Sequence, residues 1–172
     1  MKNIENKIII YLIDDDDLFL KIINNKFKAV THFHLMTFKT PQSFLDYLNH
    51  SKISKNILQI GILDYYFLNK FNEQLDGIQV LSEINRSHPE VKIILVSQRK
   101  DGELVQKAKQ HGAFSFIPKS EDAFMRILNQ VRWLSEDHAV KLSEKRKKRA
   151  QSIVLILLSI GISVFLYHQF LL

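Results

Sequence analysis

A few polar residues in this 172-residue chain could do chemistry together if the fold gathers them. Asp14, Asp15, Asp16 and Asp17 follow directly behind the apolar run KIIIYLI, Lys7 to Ile13. Asp64 closes a second apolar run, ILQIGIL, and Ser97 closes a third, VKIILV. Lys119 stands behind Pro118, just past a fourth run from Ala113 to Ile117. Carboxylates brought together repel one another and call for a cation, and hard oxygen ligands suit Mg²⁺. A carboxylate beside Mg²⁺ and an ammonium is placed to accept a phosphoryl group, because both cations offset the charge on the transferring oxygens. Asp16 and Asp17 have a plainer reading as first-turn acids favoured by a helix dipole. The chain has no cysteine, which excludes thiol nucleophiles, disulfides and Cys-based zinc sites. Its seven histidines (32, 34, 50, 88, 111, 138, 168) show no metal-ligand spacing on one helix.

The elements that must position these residues alternate strand with helix. Strands are expected at Lys7 to Ile13, Phe33 to Phe38, Ile57 to Leu63, Val91 to Val96 and Ala113 to Ile117. Each is an apolar, β-branched or aromatic run. Between them, apolar residues recur at helical spacing, as at Phe19, Ile22, Ile23 and Phe27. Thr40-Pro41 reads as a cap followed by a first-turn proline, Gly112 as a stop signal and Ser120 as a further cap. Tyr65 to Asp76 reads as a loop. Five such units argue for an α/β fold, an open doubly wound parallel sheet with helices on both faces. Ligands of these sheets bind at the C-terminal strand ends, where the polar residues fall.

The formal charge of +6 at first suggests nucleic acid, but most of it sits in one block from Lys141 to Arg149. That block is too short for a folded nucleic-acid module, so no nucleic-acid partner is expected. Behind it, SIVLILLSIGISVFLYHQFLL (152–172) carries no Asp, Glu, Lys or Arg. As a helix it would span roughly 31 Å, close to the hydrocarbon core of a bilayer. The sequence thus predicts a C-terminal transmembrane helix, with the basic block keeping the N-terminal part cytoplasmic. Tyr167 would sit at the far interface, with His168 and Gln169 reaching the far headgroups. The expected location is the cytoplasmic (inner) membrane, single-pass, with the bilayer and a membrane protein among the partners.

The four polar motifs resemble the bacterial response-regulator receiver domain. The family has an acidic pair after strand 1, an Asp after strand 3, a Ser or Thr after strand 4 and a Lys after strand 5. Here these are Asp14-Asp15 in YLIDDDDLF, Asp64 in GILDYY, Ser97 in ILVSQ and Lys119 in GAFSFIPK. The resemblance implies a flavodoxin-like five-stranded sheet of order 2-1-3-4-5. It divides the chain into a receiver at 5–137, a basic juxtamembrane helix at 138–151 and the span at 152–172. It further implies that Asp64 is the phosphoryl acceptor and that Lys119 contacts the phosphoryl oxygens. Ser97 would hydrogen-bond the attached group. Mg²⁺ would be held by Asp14, Asp15, Asp64 and the backbone carbonyl of Tyr66. Phe116 matches the aromatic switch position.

The donor would be a sensor histidine kinase or a phosphotransfer protein in a phosphorelay. The chain would signal through protein contacts, without being an enzyme, and a homodimer stays open. The alternative is a non-phosphorylated scaffold that binds partners at the membrane. Two departures from the family stand out. The loop YYFLNKFNEQLDG is longer than usual and lacks proline, and Gln98 is bulky where the family has a small residue.

Overall fold

The structure, a computed structural model, describes residues 8–31, 33–54, 56–68, 74–99 and 101–171. The elements run β1 (Ile8–Ile13), α1 (Asp17–Val30), β2 (His34–Phe38), α2 (Pro41–His50), β3 (Leu58–Asp64), β4 (Tyr66–Leu68) and β5 (Gln74–Asp76). They continue with α3 (Gly77–Ser87), β6 (Val91–Ser97), α4 (Gly102–Gln110), β7 (Ser115–Pro118) and α5 (Ala123–Leu171). The chain divides into two compact units, Met1–Ser135 and Glu136–Leu172.

In the first unit, five strands form one sheet of order β2-β1-β3-β6-β7, every neighbouring pair parallel. With the small β4–β5 hairpin set aside, this is the expected order 2-1-3-4-5. The three inner strands are mostly apolar because helices cover both faces. Side chains alternate between those faces. Ile10, Leu12, Ile60 and Ile94 pack under α1 and the start of α5, against Phe27, Phe124 and Ile127. Tyr11, Ile13, Leu63 and Leu95 face the other way, against Phe44 of α2, Leu81 of α3 and Leu104 of α4. Each such side chain contributes about 1.5–3 kcal/mol by leaving water, before the entropy of ordering it is counted.

Helix ends follow from side chains in the sequence. Thr40 caps α2 by accepting from the Ser43 N–H, with Pro41 in the first turn. Asp76 caps α3 and Asp101 caps α4. Gly112 ends α4 with φ of 89°, a left-handed conformation that costs a Cβ-bearing residue energy. Two local expectations change. Tyr66–Leu68 and Gln74–Asp76 pair as an antiparallel hairpin where the sequence suggests a loop, since three-residue strands are too short for period-two alternation to register. Ser120 lies a turn ahead of α5, which starts at Ala123, and its hydroxyl donates to the Pro118 carbonyl and to Asp122.

The second unit is the remainder of α5, which continues without a break as the absence of Pro and Gly from Glu136 to Gln151 predicts. The transmembrane expectation is corrected here: among the described residues, no helix is long and apolar enough to cross a membrane. The single-pass inner-membrane location, and the bilayer and membrane-protein partners that depended on it, fall with the span. The interface roles given to Tyr167, His168 and Gln169 concern side chains outside the described residues.

Candidate functional site

The C-terminal edge of the sheet gathers most of the polar residues singled out above. Asp14 follows β1 and its N–H donates to the Phe38 carbonyl of the neighbouring strand at 3.1 Å. Asp64 ends β3, in register with Val96. Lys119 follows β7, and its N–H donates to the Ser97 carbonyl at 2.7 Å. That bond fixes where the lysine leaves the sheet. Asp14 and Asp64 are buried, at 2% and 6% exposure, while Asp15 is exposed. Together with Asp16, Tyr66, Phe67, Gln98 and Lys119 they line a cleft of about 310 Å³.

The Lys119 ammonium bridges the two buried acids. Its Nζ lies 2.7 Å from Asp14 Oδ2 and 3.2 Å from Asp64 Oδ1. The backbone adds donors: the Asp16 N–H reaches Asp14 Oδ1 at 2.9 Å and the Tyr65 N–H reaches Asp64 Oδ1 at 2.9 Å. These contacts do not balance the site. Burial, then the Asp14 charge, push the Asp64 carboxyl up to about 6 against the pull of Lys119 and the Tyr65 N–H. Burial raises Asp14 as well, despite its hydrogen bond to Lys119. For Lys119, burial works against the charged form, but the bond to Asp14 and the two carboxylate charges outweigh it and hold the ammonium above its ordinary value. The Lys119 ammonium thus faces both buried acids, with the Asp15 carboxylate at the rim.

One oxygen each from Asp14, Asp15 and Asp64 lies within 4.8 Å of the others. Three hard anionic donors at this spacing fit a small divalent cation such as Mg²⁺.

The acceptor loop is held by close backbone packing. The Tyr65 N–H also donates to the Val96 carbonyl at 2.8 Å, and the Tyr65 carbonyl accepts from the Gly77 N–H at 2.9 Å. A Cβ on Gly77 would stand 2.6 Å from that carbonyl oxygen, so only glycine lets α3 start against the loop. Tyr66 opens β4, and its ring meets that of Tyr65 nearly at right angles, with centroids 4.6 Å apart.

Two predicted residues stand outside the cleft lining. Ser97 is fully buried, its hydroxyl accepts from the Arg99 N–H at 3.0 Å, and the cleft wall there is Gln98. Phe116 is half-buried in β7 beside Leu95 and packs on the α2–α3–α4 side of the sheet. Sequence reasoning passed over Phe19. It read there as a core residue of α1, yet its ring lies under the Lys119 ammonium, 4.4 Å from Nζ to the centroid. Helical spacing carries no cue for a contact made with a distant part of the chain. Asp16 is the α1 cap, accepting from the N–H groups of Leu18 and Phe19.

Comparison with known proteins agrees with this geometry. Residues 10–132 match the family described as response regulator receiver domain. No curated protein sequence matches the chain. Solved structures of the same fold include the signal receiver domain of an HD domain-containing protein from Pseudomonas fluorescens Pf-5. It is 19% identical with a TM-score of 0.64, over 78% of this chain and 99% of that one. Response regulator DrrB from Thermotoga maritima is 24% identical, TM-score 0.59, over 75% of this chain and 52% of that one. A CheY-like response regulator receiver domain protein from Methanospirillum hungatei JF-1 is 15% identical, TM-score 0.62, over 77% and 97%. The match over most of the first unit and the acidic cleft at the strand ends lead to one conclusion: the chain belongs to the response regulator receiver domain family.

Proposed function

We propose that Asp64 is the phosphoryl acceptor, and that the donor is a histidine kinase or a phosphotransfer protein. The observation that carries this reading is a buried carboxylate with an ammonium 3.2 Å away and two further acids beside it, at the strand edge where such sheets bind ligands. An Asp64 oxygen forms the new O–P bond as the donor's P–N bond breaks. The bonding pair stays on the donor nitrogen, which then takes up a proton. Lys119 moves from Asp64 to the incoming phosphoryl oxygens. Asp14, Asp15, Asp64 and the Tyr66 carbonyl would hold Mg²⁺, which supplies positive charge against the transferring oxygens when bound. Ser97 accepts from the Arg99 N–H and keeps its own O–H to donate to the attached group. Phe116, on the adjoining strand, would be the aromatic side chain that responds.

In this reading the receiver occupies 5–137, and 138–151 is a basic helical extension. The chain is a substrate of phosphoryl transfer and a binding module, with no substrate of its own to turn over. The test is incubation of the full chain with Mg²⁺ and acetyl phosphate, read by intact mass. One added phosphoryl group, absent in Asp64→Asn and absent in EDTA, supports the reading. No gain, or an equal gain in the variant, overturns it.

A further inference from the structure

The Lys119 ammonium is reached by a closed circuit of contacts. Its Nζ meets Asp14 Oδ2 at 2.7 Å. Asp14 Oδ1 accepts from the Asp16 N–H at 2.9 Å. Asp16 Oδ1 accepts from the Phe19 N–H at 3.1 Å. The Phe19 ring then returns to Nζ at 4.4 Å from its centroid, well inside the range of a cation–π contact. The circuit ties the first turn of α1 to the residue that follows β7. Carboxylates hold one side of the ammonium and a ring face holds another. Only 14% of the Lys119 side chain is exposed.

We propose that Phe19 is a positioning residue for phosphoryl acceptance: its ring face holds the Lys119 ammonium at the cleft, with N–H bonds directed at the acidic side. This rests on Asp64 being the acceptor, and gives α1 a part in the chemistry that its apolar pattern hides. An ammonium in water would spread its donors over solvent. Against a ring, whose face attracts the charge without accepting a directed bond, the donors point where phosphoryl oxygens arrive. When Lys119 swings from Asp64 to those oxygens, the ring face keeps the stem in place while the carboxylate contacts change. A leucine of similar bulk fills the space without attracting the cation, whereas tyrosine keeps the ring.

The experiment compares the wild-type chain with Phe19→Leu and Phe19→Tyr in Mg²⁺ and acetyl phosphate. Incorporation rate is followed against donor concentration, alongside the proton shift of the Lys119 ε-methylene. The expected result is a rate at saturating donor lowered about fivefold in Phe19→Leu, a cation–π-sized loss. The half-saturating donor concentration stays unchanged and Phe19→Tyr recovers the rate. The ε-methylene resonance should lie upfield in the wild type and Phe19→Tyr, through the ring current, and move downfield in Phe19→Leu. An unaltered Phe19→Leu rate, an equal loss in both variants, or an ε-methylene shift indifferent to the ring would overturn the proposal while leaving the acceptor reading intact. No incorporation by the wild type would overturn the acceptor reading itself, and the role of Phe19 with it.

Discussion

Replacing Asp64 with asparagine should make the protein more stable at neutral pH in the absence of divalent cations. The buried carboxyl is pushed from its ordinary 3.8 to about 6. A group whose folded-state value is raised favours folding while it is protonated. That benefit is complete below the unfolded value and is lost as pH rises through the folded one. Between pH 3.8 and about 6 the wild type therefore loses stability, and above that range the full cost of holding Asp64 ionised is present. At about 1.4 kcal/mol per tenfold change in proton affinity, the cost is about 3 kcal/mol. The substituted amide would keep the shape and the acceptor for the Tyr65 N–H but carry no charge. In EDTA at pH 7.5, Asp64→Asn should melt roughly 6–10 °C above the wild type. At pH 5 the gap should shrink to about half. Excess Mg²⁺ should raise the wild type selectively, because the charge-free variant has lost a ligand. Thermal unfolding by circular dichroism in the two buffers measures all three effects. A variant no more stable than wild type at pH 7.5 in EDTA, or a gap that widens on acidification, refutes the reasoning.

Lys119→Met keeps the apolar stem but leaves two buried acids without their cation. It should destabilise the EDTA-treated protein by about 3–5 kcal/mol at pH 7.5 and by less at pH 5, as denaturant titration would show. Gly77→Ala drives a Cβ into the Tyr65 carbonyl, 2.6 Å away, and should cost about 1–3 kcal/mol in the same assay. Asp16→Ala removes the acceptor of two α1 N–H groups and should cost about 1 kcal/mol. Native-state hydrogen exchange should place its effect first at Leu18 and Phe19.

The parallel core was legible because β1, β3 and β6 are buried on both faces, so apolar runs such as KIIIYLI name themselves. Thr40, Gly112 and the acids behind β1 and β3 were legible for a related reason: their chemistry is local to one strand end or one helix end. What escaped the reading is long-range or very short. The Phe19–Lys119 contact joins α1 to the far edge of the sheet, and periodicity within α1 explains Phe19 fully without it. The β4–β5 hairpin consists of two three-residue strands, below the length at which alternation shows. Ser97 was legible in position but not in orientation, since nothing in ILVSQ reveals that its hydroxyl turns to Arg99. The uncharged stretch from residue 152 is legible only as hydropathy, which does not tell a bilayer from any other apolar surroundings.

The edge strand β7 has a consequence for how the folded protein keeps to itself. A parallel sheet with three largely apolar inner strands is a ready template for further pairing wherever an edge lies open. Here β7 is only four residues long and ends in Pro118, which has no N–H to offer an incoming strand. Lys119 still donates its N–H inward to the Ser97 carbonyl, and its ammonium lies in the acidic cleft, so the proline alone guards this edge. Replacing Pro118 with an apolar residue that has an N–H would give the open edge a donor and a longer, self-associating strand.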